Sequence, residues 1–257
     1  MESILEVDQL VKHYGGVHAV NGCTMSVRRG SITGLIGPNG AGKSTLIECV
    51  SGFQRIDSGR VFFNGRQIQK VAPHRIARLG LVRTFQSARE WPALTTLENL
   101  LIPLTPPRNE AVWRALIGRN ALMAAESADR IRARELLAEF GLSQVKNELA
   151  GNLSGGQKRL LEFARIACAK PQMVLLDEPQ TGVNPVLGER MAAAIRSLAG
   201  SGITVLIVEH NLPFIEELCS TVVVMNLGRQ IAEGSMQELR GNPEVTDAYL
   251  GKATANV

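Results

Sequence analysis

The stretch GPNGAGKST at residues 37 to 45 constrains the fold of this chain more than any other feature. It matches the pattern GxxxxGK[ST], and it lies between an apolar run at residues 32 to 36 and a helical pattern that continues to residue 50. In such a unit the glycines let successive backbone N–H groups turn toward phosphate oxygens, and the helix start adds a partial positive charge. The stretch therefore predicts a phosphate-binding loop between a strand and a helix.

The side chains of this loop have separate predicted tasks. Lys43 is expected to meet the β- and γ-phosphates of a nucleotide, and Ser44 to offer its hydroxyl to Mg²⁺. An ordinary strand–turn–helix junction is the alternative, but it does not require this lysine and this serine at this spacing. The predicted nucleotide-binding residues of the loop are Gly37, Pro38, Asn39, Gly40, Ala41, Gly42, Lys43, Ser44 and Thr45.

A second apolar run, MVLL at residues 173 to 176, ends in Asp177, and Glu178 follows. Ligands of doubly wound sheets gather where strands end, so Asp177 is predicted to hold Mg²⁺ through water and Glu178 to polarise the water that attacks the γ-phosphate. A polar turn is the alternative. These features fit any P-loop NTPase, including a small-molecule kinase or a GTPase, although the sequence has no Asn/Thr-Lys-x-Asp motif of the kind that reads guanine.

Further short apolar runs, at residues 204 to 208 and 221 to 225, alternate with longer helical patterns. Runs of this length suit strands that are buried on both faces, so they predict an α/β fold with a parallel sheet. Residues 61 to 68 are predicted to form a β-hairpin with Asn64-Gly65 as its turn. We therefore expect an antiparallel flank beside the parallel sheet.

The strand signal disappears between about residues 88 and 168. Four apolar residues of this segment fall at helical spacing, namely Ala133, Leu136, Leu137 and Phe140. Gly141 follows them at a position that ends a helix. We expect a single nucleotide-binding domain over residues 1–257, with a helical subdomain inserted at approximately 88–168 and a C-terminal tail at approximately 226–257.

Composition argues against several other classes. The four cysteines lie far apart without a CxxC pair, so neither a disulfide framework nor a zinc site is expected. Lys and Arg outnumber Asp and Glu by only 28 to 24 and are scattered, so no nucleic-acid partner is expected. The longest apolar runs fall far short of the roughly 18 residues that span a bilayer. Any membrane role is therefore expected to require a partner.

Residues 152 to 166 read NLSGGQKRLLEFARI, which places a second anion-friendly helix start far from the first. Ser154 and Gln157 fit a capping box, in which each side chain bonds to the backbone of the other residue. Capping does not explain Gly155 and Gly156, because each glycine costs a helix up to about 1 kcal/mol relative to alanine. We therefore expect another molecule to approach the backbone closely at this point.

The stretch LSGGQ resembles the signature motif of the ATP-binding cassette (ABC) family, and five further motifs follow the order of that family along nearly the whole chain. The signature residues are Leu153, Ser154, Gly155, Gly156 and Gln157. The other motifs are Tyr14 (A-loop), the P-loop, Gln86 in RTFQ (Q-loop), Asp177 with Glu178 (Walker B and catalytic glutamate) and His210 (H-loop). The resemblance implies a P-loop ABC ATPase that uses ATP and Mg²⁺, with a RecA-like α/β core, an antiparallel β flank and an inserted α-helical subdomain.

The resemblance also implies a task for each of these residues. Tyr14 would stack on adenine, and Gln86 would coordinate Mg²⁺ or the attacking water. His210 would hydrogen-bond the γ-phosphate and hold Glu178 in place. The resemblance implies that the signature residues face a γ-phosphate on the P-loop of a second subunit. One helix terminus contributes only about 0.3 to 2 kcal/mol toward an anion, so this helix start is too weak to be the main ATP site. Two chains would thus enclose two ATP molecules.

More locally, GNLSGGQKRLLEFAR, the segment GVNP and the tail ending in AYLG are similar to LivG-type ATPases of branched-chain amino acid importers. Asn184 stands where many cassettes have aspartate. The implied partners are a second ABC ATPase subunit, in a homo- or heterodimer, two integral membrane permease subunits and, indirectly, a periplasmic or extracellular substrate-binding protein. The implied location is peripheral, on the cytoplasmic face of the inner or plasma membrane.

Several alternatives stay open at this point. The cassette could serve another transporter, such as a urea or amide importer or a lipopolysaccharide exporter, and a soluble ABC ATPase outside transport is a further alternative. Trp91, next to Pro92, either contacts a permease or belongs to the core. The transported substrate is not encoded in this chain, because the cassette never touches it.

Overall fold

The strands of the computed structural model, which describes residues 2–84, 90–104, 119–181 and 183–250, form two sheets. The strands of the described residues are β1 (Ser3–Tyr14), β2 (Val17–Arg28), β3 (Ile32–Ile36), β4 (Ser58–Phe63), β5 (Arg66–Gln67), β6 (Leu81–Arg83), β7 (Met173–Asp177), β8 (Thr204–Val208), β9 (Thr221–Asn226) and β10 (Arg229–Gly234).

The helices vary from five to 21 residues. Within the described part of the chain they are α1 (Lys43–Val50), α2 (Pro73–Arg78), α3 (Thr96–Leu101), α4 (Arg119–Glu139), α5 (Gly155–Ala169), α6 (Pro185–Gly200), α7 (Leu212–Leu218), α8 (Met236–Arg240) and α9 (Pro243–Leu250). Short 3₁₀ turns lie at Ile102–Leu104, Ser143–Val145 and Ala150–Asn152. None of the described helices combines the length and the apolar character that a membrane span requires.

The larger sheet has six strands in the order β10-β9-β3-β8-β7-β6. All neighbours are parallel except β10, which pairs antiparallel with β9. Every residue of β7 and β8 is buried, as expected for strands that are covered on both faces. The predicted α/β fold with a parallel sheet is confirmed, and the strands predicted from apolar runs all lie in this sheet.

The smaller sheet is the antiparallel flank, with the order β2-β1-β4-β5. The hairpin predicted over residues 61 to 68 is present, because β4 and β5 pair on either side of Asn64 and Gly65. Both turn residues have positive φ, 50° and 70°, as a two-residue turn of this kind requires. The sequence patterns do not predict β1 and β2. The pairing register of these two strands shifts at several places, which breaks the simple alternation of buried and exposed residues.

The chain divides into two compact units, one of Met1–Gln86, Pro171–Gly182 and Ala199–Val257, the other of Ser87–Lys170 and Val183–Leu198. The second unit is helical in its described part, apart from one isolated bridge between Thr95 and Leu149. Three of the four apolar residues at helical spacing, Ala133, Leu136 and Leu137, are buried in α4, and the fourth, Phe140, is buried directly after its end.

The second unit also includes most of α6, which the predicted insert at 88–168 did not contain. The reason is tertiary packing within this unit. A β-carbon on Gly156 of α5 would approach Leu187 of α6 to 2.6 Å, and the Ser197 hydroxyl of α6 hydrogen-bonds Glu139 of α4. Neither contact is visible as a local pattern in the sequence.

The residues from about 226 onward, predicted as a C-terminal tail of the domain, belong to the first unit. Its strand β10 is an edge strand of the six-stranded sheet. Pro243 opens α9, and the preceding Asn242 caps it, because Asn242 Oδ1 accepts a hydrogen bond of 2.9 Å from the Glu244 N–H.

Candidate functional site

Three neighbouring strands of the first unit carry the predicted site residues at their carboxyl ends. Val208 of β8 is paired in register with Leu35 of β3 on one side and with Asp177 of β7 on the other. The chain continues from β3 into the loop at residues 37 to 45, from β7 into Glu178 and from β8 into residues 209 and 210. The fold therefore delivers these segments to the same edge of one sheet, where ligands of such sheets bind.

The phosphate-binding loop is held tightly from both sides at two glycines. A β-carbon on Gly37 would lie 2.1 Å from the Met225 carbonyl oxygen, and one on Gly42 would lie 2.2 Å from the Ala19 carbonyl oxygen. Gly42 also has a φ of 98° at the N-terminus of α1. Only glycine fits these two positions, because any side chain would collide with backbone atoms that cannot move aside.

Lys43 closes the loop on itself. Its ammonium donates hydrogen bonds of 2.7 Å to the Gly37 carbonyl and 3.1 Å to the Pro38 carbonyl. No side chain caps the N-terminus of α1 within the described residues, while the following Ser44 is exposed. The loop therefore presents a helix start and a hydroxyl to the outside, as the binding of an anion with its metal requires.

Tyr14 lies at the end of β1, opposite Val17 at the start of β2. Its side chain is 44% exposed, and the Lys12 ammonium lies 5.3 Å from the ring centroid. Ala19, whose carbonyl contacts the position of Gly42, is two residues farther along β2. An exposed aromatic ring on this hairpin can serve as a stacking platform for a base.

Asp177 is almost fully buried, and its two carboxylate oxygens differ. Oδ2 accepts a hydrogen bond of 2.8 Å from Arg83, whereas Oδ1 has no hydrogen-bond partner within the described part of the chain. A buried oxygen in this state is costly unless something else satisfies it. The residues present therefore fit a divalent cation, since a carboxylate oxygen is a preferred ligand of Mg²⁺.

Glu178 adopts a left-handed backbone conformation with a φ of 44°, which is uncommon for a residue with a side chain. Its N–H donates to the Val208 carbonyl at 2.9 Å, and its carboxylate accepts a hydrogen bond of 3.2 Å from the Thr181 hydroxyl. The side chain is half-buried. Unusual backbone conformations of this kind concentrate at functional sites, where the surrounding structure holds them.

His210 lies beyond β8 with its side chain largely exposed. The residue before it, Glu209, is fully buried and accepts hydrogen bonds from nearby backbone N–H groups. The sequence patterns do not single out Glu209, which directly follows the apolar run of β8. A carboxylate that interrupts such a run directly before His210 was the signal that could have singled it out.

The signature stretch lies in the second unit, and its capping box is formed as predicted. The Ser154 hydroxyl accepts from the Gln157 N–H at 3.3 Å, and the Gln157 side chain accepts from the Ser154 N–H at 2.9 Å. Close packing against Leu187 explains within this chain why residue 156 is a glycine. At Gly155, by contrast, a β-carbon would meet nothing within 4 Å. Gly155, and not Gly156, is therefore the glycine that leaves its backbone open to a close external partner.

Gln86 and Trp91 were also predicted from the sequence to have functional or interface roles. Gln86 lies outside the described residues. Trp91 is 41% exposed, and the guanidinium of Arg165 lies 4.1 Å from its ring centroid, so its ring is only partly buried against this neighbour.

Comparison with known families decides the class. The family model described as ABC transporter matches residues 20–181, more than half of the chain. The chain belongs to the ABC transporter family. A second family model, described as branched-chain amino acid ATP-binding cassette transporter, matches residues 229–255 of this cassette. The cassette is thus an ATPase subunit that binds ATP and works with a membrane permease.

Relatives match the cassette along nearly its whole length. It is 40% identical over 254 residues to the probable branched-chain amino acid transport ATP-binding protein LivG of Archaeoglobus fulgidus, covering 99% of this chain and 98% of the relative. It is 38% identical over 251 residues to the high-affinity branched-chain amino acid transport ATP-binding protein BraF of Pseudomonas aeruginosa, covering 97% and 98%.

A solved structure shows the same architecture. The crystal structure of the ADP conformation of MJ1267, an ATP-binding cassette of an ABC transporter, has a TM-score of 0.80 and 36% identity to this chain. The match covers 98% of this chain and 100% of the MJ1267 chain. The predicted class, a P-loop ABC ATPase, is confirmed.

Proposed function

We propose that this cassette hydrolyses ATP, with Mg²⁺, to energise the import of branched-chain amino acids. The single observation that carries the catalytic part is the register of Val208 with both Leu35 and Asp177, which aligns the ends of three strands at one edge. The importer assignment is supported by relatives named for branched-chain amino acid transport and by the match over residues 229–255.

The first unit supplies the nucleotide-binding groups. In this proposal the backbone of residues 37 to 45 and the Lys43 ammonium bind the phosphates, and Tyr14 stacks on the adenine. Mg²⁺, when bound, neutralises phosphate charge, and Ser44, Asp177 and Gln86 would hold it. The Oδ1 atom of Asp177, which lacks a described partner, supports its part in this set.

The catalytic groups follow the neighbouring strands. Glu178 accepts a proton from the attacking water, and His210 contacts the γ-phosphate. The hydrogen bond from the Thr181 hydroxyl orients the Glu178 carboxylate. The backbone of Glu178 is itself constrained to a left-handed conformation. Gln86 assists at the water or the metal, as the family resemblance implies.

The signature residues of the second unit act on a nucleotide bound to another subunit. The exposed start of α5 offers backbone N–H groups and the bare Gly155 to an incoming γ-phosphate. The two ATP sites are therefore complete only in a dimer, which is either a homodimer or a heterodimer with a second ABC ATPase. Two permease subunits and a substrate-binding protein outside the membrane complete the importer, with this cassette peripheral on the cytoplasmic face.

The catalytic part of the proposal is tested by ATP turnover and ATP affinity. Both are measured on the full chain assembled with its permease. Glu178→Gln should keep ATP affinity and lower turnover by roughly 10²–10⁴-fold, as expected when a general base is removed. Lys43→Ala should weaken nucleotide affinity itself. Glu189→Gln, on an exposed part of α6, is the matched control and should leave both unchanged. Near-normal turnover of Glu178→Gln would reject this residue as the base.

Uptake assays test the substrate class. The assembled transporter in proteoliposomes, with its binding protein, should accumulate radiolabelled leucine only when ATP is present on the side of the cassette. ATP-dependent uptake of urea without uptake of leucine would contradict the branched-chain assignment.

A further inference from the structure

Glu209 is a carboxylate buried completely within the described structure, at the carboxyl end of β8. It stands one residue before His210 and beside the end of β7. Burying a carboxylate is expensive unless its oxygens are hydrogen-bonded, so the surroundings of Glu209 must supply donors. Those donors come from two separate loops.

One oxygen of Glu209 reaches the loop that follows Glu178. The Gln180 N–H, two residues beyond the proposed base, donates to Glu209 Oε1 at 2.8 Å. The other oxygen, Oε2, accepts from the His210 N–H at 3.0 Å and from the Asn211 N–H at 3.5 Å. One side chain therefore organises the backbone on both sides of the proposed reaction site.

A second link runs parallel to the first. The side-chain amide of Asn211 donates to the Gln180 side-chain oxygen at 2.7 Å, while Asn211 Oδ1 accepts from the Phe214 N–H and caps α7. The Glu178 N–H is also bound, to the Val208 carbonyl. The loops after β7 and β8 are thus joined by a network of charge-assisted and neutral hydrogen bonds, and Glu209 is the centre of this network.

We propose that Glu209 is a positioning residue, which holds the loop of Glu178 and the loop of His210 in one fixed arrangement for hydrolysis. This inference rests on the proposed function, because it acts through the base and the histidine assigned there. The carboxylate is required in its acceptor-only form. An amide at this position would turn its N–H₂ group toward a backbone N–H on one of the two loops, and that loop would move.

Glu209→Gln tests the inference in the assembled transporter. We expect ATP affinity, measured with a fluorescent ATP analogue, to stay within about twofold, because the phosphate-binding loop is not a partner of Glu209. Turnover should fall by about tenfold or more, since a displacement of about 1 Å can cost about 10²-fold in rate. Glu233→Gln, an exposed glutamate of β10, is the matched control and should behave as wild type.

A double variant separates positioning from general damage. If Glu209 acts through Glu178, then Glu178→Gln combined with Glu209→Gln should be little slower than Glu178→Gln alone. Independent, multiplying losses would overturn the inference, and so would a folded Glu209→Gln protein with wild-type turnover or one that loses ATP affinity and turnover together. Normal turnover of Glu178→Gln would instead reject Glu178 as the base in the proposed function.

Asn211→Ser keeps the test possible if Glu209→Gln does not fold. Serine still offers an oxygen to cap α7, but it cannot donate to Gln180 as the asparagine amide does. Turnover should fall by a few-fold with unchanged ATP affinity and an unchanged melting temperature. Wild-type turnover of this variant would overturn the inference.

Discussion

Arg83 and Asp177 form a buried ion pair, in which Arg83 Nη2 lies 2.8 Å from Asp177 Oδ2. The side chains are only 11% and 2% exposed. Removing one partner of such a pair is strongly destabilising, because the charge of the other partner stays buried without compensation. Arg83 therefore holds the proposed metal ligand through one oxygen and leaves the other oxygen available.

Arg83→Ala should lower the free energy of unfolding by about 3 to 5 kcal/mol, since it leaves the Asp177 carboxylate buried without its partner. Urea unfolding of the full chain measures this. The matched control is Arg60→Ala, which breaks an exposed pair of the same chemistry with Asp8 at 2.7 Å and should cost no more than about 1 kcal/mol. Equal losses in the two variants would contradict the importance of burial.

Gly37→Ala should abolish nucleotide binding and destabilise the chain, because the new β-carbon would lie 2.1 Å from the Met225 carbonyl oxygen. Gly40→Ala, in the same loop, meets no atom within 4 Å and should cost only the roughly 1–2 kcal/mol of its left-handed backbone. Calorimetric titration with ATP and urea unfolding report the two effects. Similar behaviour of the two variants would show that close packing does not shape the loop.

Gly155→Ala separates folding from the proposed role of the signature stretch. Alanine should stabilise α5 by up to about 1 kcal/mol, because it is the better helix former and its β-carbon meets open space. Turnover in the assembled transporter should nevertheless fall if a second subunit's γ-phosphate approaches this backbone. A more stable variant with undiminished turnover would contradict that role.

Alkaline pH should destabilise the chain through its four buried cysteines. Burial raises the pKa of Cys23 and Cys168 to about 11 and that of Cys49 and Cys219 to about 12, from an ordinary value of 9.0. Above pH 9 the unfolded chain releases these protons while the folded chain keeps them, so stability falls as pH rises from about 9 toward 11 to 12.

The measurement is urea unfolding at pH 7, 8 and 10, together with thiol labelling. Each thiol should cost up to about 1.4 kcal/mol per pH unit inside that window and almost nothing between pH 7 and 8. Labelling of the native chain at pH 8 should be slow for all four thiols and fast after unfolding. Rapid native labelling would show that the thiols are accessible.

Local sequence patterns were sufficient to predict much of this site. The phosphate-binding loop, the strand ending in Asp177 and the capping box of Ser154 each depend on residues within a few positions of one another. The strands β3, β7, β8 and β9 were equally predictable, because burial of most or all of their residues leaves a mostly apolar run. The long strands β1 and β2 were missed, since their irregular register hides the alternation that marks a half-buried strand.

The sequence by itself determined the class of nucleotide site and the residues that line its loop, because close backbone approach and phosphate chemistry permit few residue types at fixed spacing. Only the tertiary structure decided which distant groups act together. The ion pair of Arg83 with Asp177 and the bonds from Glu209 to Gln180 join positions that are 94 and 29 residues apart. Such partnerships depend on strand order and register, so no local pattern contains them.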